Sequence, residues 1–457
     1  MKTNIKYYII VYVSALLVFI SSAFGNSLII GYYPYWNYSD LPPASIKYNM
    51  VTHIIHAFIW PHSDGTLYID KNIRDSDLIE RAHNENVKVL IAIGGSGHND
   101  NFDDVVSNSV LRGNFIQHLL DFCKEYGYDG IDMDWEPLNS SLVRDQLNIL
   151  MSALKDSIKS QNFDLLLTIA VPATNWFGQW CDFDTLKNIV DWFNVMTYDF
   201  FWSTAMYANH NSPLYSPEQQ QYDYGSVDSG LNYIHSVRGV PKEQIVLGIP
   251  FYGHACYATG LFELNTGYIC WYSYSDILPM IGNGWNYLWD DVSKVPYLLN
   301  DEQTIFITYD DTGSVRLKCE YAADKGVAGV MIWEISKDMT GNNQPLLETI
   351  GKSMGLLPTH IVDVSKPEHI ESFIKLKNYP NPFNNTTVIS YFVSQTGKVT
   401  LEIFSVSGKK IETLINTTQN RGWHKTVFNT QSYASGEYIY RLATSEQYIS
   451  KKMIIIK

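Results

Sequence analysis

The part of the sequence best suited to chemistry is a short row of acidic residues. The segment Tyr-Asp-Gly-Ile-Asp-Met-Asp-Trp-Glu spans residues 128–136 and places Asp132, Asp134 and Glu136 at every second position. Alternate residues of a β-strand share a face, with about 6.6 Å between successive side chains. Carboxylates crowded on a buried face repel one another and lose hydration, so the row must share protons. We expect Glu136, the last acid, to keep a proton near neutral pH and to act as a general acid.

Two interpretations without catalysis compete with this one. A solvated acidic strand would contain the acids, but the residues between them, Ile131, Met133 and Trp135, are apolar and favour burial. A calcium site would also use carboxylates, but calcium usually takes its oxygen ligands from a compact loop rather than from one strand. The sequence therefore favours a catalytic row.

Residues 27–355 supply the elements that must position this row. Short apolar runs alternate there with amphipathic stretches, and most runs are continuously apolar, as in strands buried on both faces of a parallel sheet. The predicted strands are Leu28–Tyr33, Val51–Trp60, Val87–Gly94, Gly130–Glu136, Leu165–Val171, Phe193–Tyr198, Ile245–Tyr252 and Val327–Trp333. The predicted helices include Leu111–Tyr126, Leu142–Ser160 and Ser314–Lys325. Eight such units predict an α/β fold, a (β/α)8 TIM barrel, with an open doubly wound sheet as the alternative. In a barrel the acids of the fourth strand would point inward, with Glu136 at the carboxyl end, where barrel active sites lie.

Residues 254–311 are too long for a plain crossover and are rich in aromatic residues, which predicts a small α+β insertion between strands seven and eight.

Other features of the sequence exclude several classes of function. No Gly-rich turn follows the first strand and no Walker-type lysine is present, so nucleotide binding has no support. A net charge of −14 argues against nucleic acid or anionic membrane as the main partner. Five scattered cysteines predict neither a disulfide scaffold nor a zinc site, although Cys256 and Cys270 could close one bridge.

The two ends of the chain differ in character from the middle. Residues 1–25 begin with lysines and continue as an apolar run that ends in small residues, which indicates a cleavable signal peptide, with a membrane anchor as the alternative. Residues 26–355 then form the barrel domain, and residues 356–375 form a polar linker. In residues 376–457 apolar and polar residues alternate between turn glycines, which predicts a small all-β sandwich.

The acidic row and its flanking motifs resemble glycoside hydrolase family 18, the chitinase family. The family signature Asp-x-x-Asp-x-Asp-x-Glu matches Asp129, Asp132, Asp134 and Glu136 in full. Other matching motifs are Gly31-Tyr32-Tyr33, Ala57-Phe58, Met196-Thr197-Tyr198-Asp199-Phe200, the loop 210–215, Gly248-Ile249-Pro250-Phe251-Tyr252-Gly253, Tyr309-Asp310-Asp311 and the segment 329–334. The resemblance covers about residues 27–350 and implies a secreted chitinase that hydrolyses β-1,4-linked N-acetylglucosamine.

The resemblance also implies a mechanism in which the substrate supplies its own nucleophile. Glu136 would protonate the glycosidic oxygen while the N-acetyl carbonyl attacks the anomeric carbon, which forms an oxazolinium ion and leads to retained configuration. Asp134 would orient the acetamide, Asp132 would share a proton with Asp134, and Tyr198 would bind the acetamide carbonyl. Asp129, which is out of phase with the row, would be structural. This chemistry needs no cofactor and no metal.

The resemblance places further residues in the substrate pocket. Trp333 would form the apolar floor beneath the sugar at which cleavage occurs. Five other residues match pocket positions of the family, namely Met196, Asp199, Tyr32, Phe58 and Tyr252. Rim tryptophans that could bind further sugars, or simply pack, are Trp176, Trp180, Trp202, Trp271, Trp285 and Trp289.

Three departures from the family pattern concern how the chain would bind sugar. Ala92-Ile93-Gly94-Gly95-Ser96 lacks the Ser and the Trp that often occur at strand three. His254 stands where many relatives have Arg, and Trp202 lies near but not at the usual aromatic position.

The C-terminal segment resembles a second family, the C-terminal sorting domain of type IX secretion. The matching stretches are Leu376–Asn384, Ser407-Gly408-Lys409, Ser435-Gly436-Glu437-Tyr438 and Lys451-Lys452-Met453. The resemblance implies passage across an outer membrane by the type IX machinery, removal of the domain and an extracellular or cell-surface location. A carbohydrate-binding or spacer β-domain is the alternative.

Three functions remain open on the residues alone. The first is a monomeric secreted chitinase that acts on chitin or N-acetylglucosamine oligosaccharides. The second is an endo-β-N-acetylglucosaminidase that acts on N-glycans, because both substrates carry the N-acetyl group. The third is a non-catalytic chitin-binding lectin on the same barrel, which the intact Glu136 disfavours.

Overall fold

The computed structural model describes residues 27–97, 101–356, 375–393, 396–406, 408–420, 422–444 and 448–457. The predicted signal peptide 1–25 and nearly all of the predicted linker 356–375 lie outside the described residues. The chain divides into two compact units, one within residues 1–283 and 290–359 and the other within residues 284–289 and 360–457. In the described part of the chain, no helix is both long and apolar enough to cross a membrane.

The first unit contains a closed barrel of eight parallel strands. In chain order these barrel strands are Leu28–Pro34, His53–Pro61, Lys88–Gly94, Gly130–Asp134, Leu166–Pro172, Phe193–Met196, Ile245–Pro250 and Gly329–Trp333. Each strand pairs with the next, and the first strand pairs with both the second and the eighth, which closes the sheet. The two-residue strand Leu67–Tyr68 pairs antiparallel with the end of the second strand.

The barrel forms because its strands are apolar on both faces. Ile29, Ile30, Ile54 and Ile55, for example, are completely buried, as parallel strands between a filled interior and a helix layer must be. The helices are Asp77–Asn84, Phe102–Ser107, Ser109–Tyr126, Ser141–Ser160, Asn175–Gly178, Phe183–Leu186, Val227–Asn232, Tyr274–Ile277, Thr312–Lys325 and Pro345–Ser353. The longest of them buries one stripe, including Leu147, Leu150 and Leu154.

Three of the predicted barrel strands end two residues earlier in the structure. The fourth strand ends at Asp134, whose carbonyl accepts the last bond from Gly95 N at 2.8 Å, so Glu136 extends beyond the sheet into the barrel mouth. The sixth strand ends at Met196 rather than at Tyr198. The seventh ends at Pro250, and Tyr252 begins a separate strand of the insertion, because Phe251 N turns to bond the Trp333 carbonyl at 2.9 Å.

The insertion between the seventh and eighth barrel strands is a small antiparallel sheet. Its strands are Tyr252–Tyr257, Tyr268–Ser273, Trp285–Asp290, Val295–Asn300 and Ile305–Thr308. At its end a buried ion pair joins it to the following helix, since Lys318 Nζ lies 2.7 Å from Asp310 Oδ2. The bridge considered for Cys256 and Cys270 does not form: all five cysteines are free thiols.

The second unit is an antiparallel β-sandwich. One sheet contains Lys375–Tyr379, Thr386–Val393 and Gly422–Asn429, and the other contains Lys410–Gln419, Gly397–Ser405, Gly436–Ala443 and Tyr448–Ile455. Alternate residues of both sheets, such as Ile389, Leu401 and Leu442, meet in one apolar core. The predicted fold, a TIM barrel with an insertion and a C-terminal all-β module, is confirmed.

Candidate active site

Asp132 lies at the centre of the barrel interior and is completely buried. Its carboxylate accepts hydrogen bonds from Tyr32 Oη at 2.6 Å, from Thr168 Oγ1 at 2.5 Å and from Asn194 Nδ2 at 3.0 Å. Burial raises the pKa of Asp132 to about 6, and the three donors limit that rise because they stabilise the charged form. One carboxylate therefore links the first, fourth, fifth and sixth strands.

Asp134 and Glu136 form a hydrogen-bonded pair above Asp132. Burial, followed by the charges of Glu136 and Asp132, raises the pKa of Asp134 well above its usual range. Burial, followed by the charge of Asp199, raises the pKa of Glu136 to about 7. The hydrogen bond between the two acids raises the pKa of Asp134 and limits the rise of the pKa of Glu136.

Tyr198 packs beside the acidic pair at the end of the sixth strand. Its hydroxyl lies 3.9 Å from the sulfur of Met331, a weak acceptor, so it can exchange that contact for a stronger one. The ring lies against Gly248 of the seventh strand, where a Cβ atom would come within 2.7 Å of the Tyr198 ring. A glycine at position 248 therefore makes room for this tyrosine.

Asp199 lies next to the pair, at the rim of the mouth. Its Oδ1 accepts a hydrogen bond from Tyr252 Oη at 2.5 Å and lies 2.9 Å from His254 Nε2. His254 in turn places its Nδ1 2.9 Å from Tyr268 Oη. The His254 that departs from the family's Arg thus still contacts this carboxylate.

Aromatic residues line the opposite side of the mouth. Trp333 lies at the end of the eighth strand, with ring centroids 5.5 Å from Tyr32 and 5.9 Å from Phe58. Tyr32 and Phe58 are buried, and Trp333 and Met196 are partly buried against the same cluster as Tyr198 and Tyr252. All ten residues proposed from the sequence, from strands one, two, four, six and eight and from the insertion, thus gather at one end of the barrel.

A cleft of about 740 Å³ is lined by Glu136, Met196, Tyr198 and Asp199, among other residues. Its walls are the segments that follow the fourth, fifth and sixth strands, together with residues 223–225. The volume falls within the range of about 300–1,000 Å³ that is usual for ligand pockets. The acid pair thus faces a site large enough for a substrate.

Comparison with protein families identifies this arrangement. The family model described as glycosyl hydrolases family 18 matches residues 28–338, which contain the acidic row and all eight barrel strands. The chain belongs to glycoside hydrolase family 18. A second model, the secretion system C-terminal sorting domain, matches residues 377–457. As a family 18 member the protein is a glycoside hydrolase, and its C-terminal unit is a type IX sorting domain.

Relatives of this family 18 hydrolase include proteins named as chitinases and solved structures. Chitinase A1 of Niallia circulans is 32% identical over 318 residues, which are 62% of this chain but only 45% of that protein. Chitinase 1 of Aphanocladium album is 26% identical, over 73% of this chain and 86% of that one. The group IV chitinase of Ostrinia furnacalis has a similar structure, with a TM-score of 0.65, 26% identity, and coverage of 72% of this chain and 100% of that one.

Two polar residues support the acidic row of this family 18 hydrolase, and the remaining acid of the signature lies elsewhere. Thr168 and Asn194, which bond Asp132, were missed in the sequence analysis. Their only signal is a polar residue at an inward position of an otherwise apolar strand. Asp129 lies outside the mouth, where it accepts a hydrogen bond from Val89 N at 2.7 Å and lies 2.8 Å from His83 Nε2. These contacts support the structural role expected for Asp129.

Proposed function

We propose that the protein is a secreted chitinase that cleaves β-1,4-linked N-acetylglucosamine chains with retention of configuration. The observation that carries the proposal is the pair of acids with raised pKa values, Asp134 and Glu136, at the mouth of the barrel, where Trp333 packs against Tyr32. The relatives support the substrate, since those named above are chitinases and the Ostrinia furnacalis enzyme was also solved with allosamidin. A Cycas revoluta chitinase of 25% identity was solved with the tetrasaccharide (GlcNAc)4.

The first step breaks the glycosidic bond. Glu136, with a pKa of about 7, is protonated in a large fraction of molecules near neutral pH and gives its proton to the glycosidic oxygen. The acetamide oxygen of the substrate forms a bond to the anomeric carbon as the leaving sugar departs with that proton. The products of this step are a free sugar hydroxyl, an oxazolinium ion and the Glu136 carboxylate, so charge and atoms balance.

Asp134 turns from Glu136 towards the acetamide N–H during this step. Its Oδ1 has no hydrogen-bond partner among the described residues, although it is buried, and a substrate amide would satisfy it. The proton that Asp134 holds in the free enzyme can pass to Asp132, whose pKa of about 6 allows it to accept. Asp134 then carries the negative charge that stabilises the oxazolinium ion.

Tyr198 positions the nucleophile, and Glu136 completes the reaction. The Tyr198 hydroxyl donates to the acetamide oxygen and holds it under the anomeric carbon. In the second step water attacks the anomeric carbon from the side that the leaving sugar occupied, and the ionised Glu136 accepts a proton from this water. The bond between the anomeric carbon and the acetamide oxygen breaks, which restores the neutral acetamide. Two inversions restore the original configuration, so the new hydroxyl is β.

Export is the second part of the proposed function. The sorting domain directs the chain to the type IX system. Residues 1–25 act as the signal peptide for transport across the inner membrane. The enzyme would therefore work outside the cell, where chitin is found, either released or retained at the surface after removal of the sorting domain.

The experiment that tests the reaction compares two substrates and resolves the product anomers. Colloidal chitin and chitin oligomers should release reducing ends, first as the β-anomer by proton NMR, while a high-mannose glycopeptide stays intact. Faster cleavage of the glycopeptide would favour the endo-β-N-acetylglucosaminidase function instead. Initial release of the α-anomer would contradict the substrate-assisted mechanism, and binding without any cleavage would indicate a lectin.

A further inference from the structure

A buried lysine lies outside the candidate active site and has no part in the reaction described above. Lys318, on the helix Thr312–Lys325, is only 2% exposed. Its ammonium group makes three hydrogen bonds of 2.7 Å, to Oδ1 and Oδ2 of Asp310 and to Ser212 Oγ. Burial lowers the pKa of Lys318 and raises that of Asp310, because both charges have lost their hydration. A buried ion pair is often no more stabilising than apolar residues of the same size, so this pair points to a role beyond stability.

Ser212 connects this ion pair to the segment that carries Tyr198. The Ser212 hydroxyl donates its proton to the carbonyl oxygen of Thr197 at 2.6 Å. Because an ammonium group can only donate, Ser212 Oγ accepts from Lys318, and its single proton remains for Thr197. The lysine therefore sets the direction of a chain of two hydrogen bonds that ends on the peptide before Tyr198.

Asn211 holds the peptide on the other side of Tyr198. It is completely buried, its Oδ1 accepts a hydrogen bond from Asp199 N at 2.9 Å, and its own backbone N donates to Thr308 Oγ1 at 2.7 Å. Asp199 has a φ of +56°, a left-handed conformation that a residue other than glycine keeps only where its surroundings hold it. Asn211 and Ser212 thus fix the two peptide planes that flank Tyr198, and these planes determine its φ and ψ.

The position of the Tyr198 ring depends on this backbone. The Tyr198 hydroxyl meets a weak acceptor, the sulfur of Met331 at 3.9 Å, so that contact contributes little to holding the ring in place. The side-chain rotamer of a residue depends on its φ and ψ, so a rotation of either flanking peptide would move the hydroxyl.

Given the proposed function, such a movement would displace the acetamide oxygen that Tyr198 holds under the anomeric carbon, and the reaction would slow. We propose that Lys318 is a positioning residue for hydrolysis, which orients Tyr198 through Ser212 without acting on the substrate itself.

A double-mutant cycle tests whether Lys318 acts through Tyr198. Lys318→Met/Asp310→Asn removes both charges together, so no unpaired charge stays in the interior. For chitohexaose, the hexamer of N-acetylglucosamine, we expect kcat to fall by about tenfold while KM stays within about twofold of the wild-type value. Tyr198→Phe should lower kcat at least as much. When the two changes are combined, kcat should fall less than about twofold below that of Tyr198→Phe, because the hydroxyl that Lys318 positions is already absent.

A second variant and a matched control separate positioning from stability. Ser212→Ala keeps the ion pair but breaks its link to Thr197, so it should reproduce the loss of kcat, and it decides the question if the charge-free variant does not fold. Arg316→Met/Glu320→Gln removes an exposed ion pair from the same helix and should leave kcat unchanged. Melting temperatures of all variants should lie above the assay temperature, so that kcat is measured on folded protein.

The outcomes distinguish this inference from the proposed function on which it rests. An undiminished kcat in Ser212→Ala, or a further tenfold loss when either change is added to Tyr198→Phe, would overturn the positioning role and leave the proposed function intact. A wild-type enzyme that left chitohexaose uncleaved would overturn both.

Discussion

At the scale of single residues, the site depends on how three carboxyl groups divide their protons. All three have raised pKa values, and burial is the main cause in each case. Because burial and the neighbouring carboxylates favour the protonated form of Asp134, a proton must leave Asp134 before that group can stabilise a cation. The row is therefore a short relay, in which the deepest acid sets the charge of the middle one and the outermost acid meets the substrate.

Glu136→Gln should remove the general acid and base while retaining the shape of the site. We expect turnover of chitin oligomers to fall by about 10³-fold, because positioned acid–base catalysis contributes about 10²–10⁴-fold. Oligosaccharide binding, measured by calorimetry, should persist because the aromatic floor is unchanged. Glu125→Gln, an exposed carboxylate on the helix Ser109–Tyr126, serves as the control and should leave both quantities unchanged. Hydrolysis at the wild-type rate by Glu136→Gln would contradict the assignment.

The pH dependence follows from the same pKa values. Glu136 must be protonated in the free enzyme, and its pKa is about 7, so kcat/KM should fall as pH rises through about 7. The charge of Asp199 contributes to that raised pKa. Asp199→Asn should therefore lower the pKa of Glu136 and move the alkaline limb of the profile to lower pH. An alkaline limb that stays in place, or moves upward, would show that Asp199 does not act on Glu136 electrostatically.

At the scale of elements, two glycines allow close packing around the site residues, because a side chain at either position would clash with a neighbour. A Cβ atom on Gly248 would lie 2.7 Å from the Tyr198 ring and 2.8 Å from the carbonyl oxygen of Val195. A Cβ atom on Gly94, whose φ is +109°, would lie 2.3 Å from the carbonyl oxygen of Asp134. The third and seventh strands thus carry glycine where a catalytic neighbour leaves no room for a side chain.

Gly248→Ala should displace Tyr198 and lower kcat for chitin oligomers by more than tenfold, because the acetamide would be held out of line. The melting temperature should also fall, since the backbone contact with Val195 cannot be relieved by a side-chain rotation. Gly113→Ala is the matched control: it lies in the helix Ser109–Tyr126 with nothing within 4 Å of its Cβ position. This control should keep full activity and gain about 0.5–1 kcal/mol of stability. Full activity in Gly248→Ala would exclude a positioning role for Tyr198.

The elements could be predicted more fully than the contacts between them. The eight barrel strands followed from continuous apolar runs, because a strand buried on both faces requires apolar residues throughout. The positions at which the strands end did not follow from the apolar runs. A strand ends where its backbone pairing ends, as at Asp134 or Pro250. Thr168 and Asn194 were missed because a single polar residue in an apolar run does not reveal which buried group it will bond. How far the pKa of Asp134 is raised depends on burial and on its charged neighbours, so it likewise could not be predicted from the sequence.

At the scale of the whole molecule, catalysis and export belong to separate compact units. All the residues proposed for the reaction lie in the larger unit, and the sorting domain contains its own apolar core around Ile389 and Leu401. Each unit satisfies its own hydrophobic burial, which is the usual condition for independent folding. We therefore expect export to be separable from activity.

A chain that ends at residue 356 should keep wild-type kcat/KM on soluble chitin oligomers and unfold in a single transition, because the barrel core is complete. The same truncation in the native host should leave the enzyme inside the cell envelope, as detected by cell fractionation. A chain that ends at residue 344 is the control. It loses the helix Pro345–Ser353 with its buried Leu346, Leu347 and Ile350, and should be unstable. Loss of oligomer hydrolysis in the chain that ends at residue 356 would show that the sorting domain supports the catalytic unit.

The hydrogen bonds around Asp132 have a consequence for how this enzyme could change over evolutionary time. Replacement of Asp132 would leave donors from three strands, Tyr32, Thr168 and Asn194, without an acceptor in the interior, so it would damage folding as well as chemistry. Glu136 lies past the last ladder bond and supports no strand. A lineage selected to hold sugar instead of cutting it would therefore lose the outermost acid first, and could keep the two inner ones long after their catalytic use had ended.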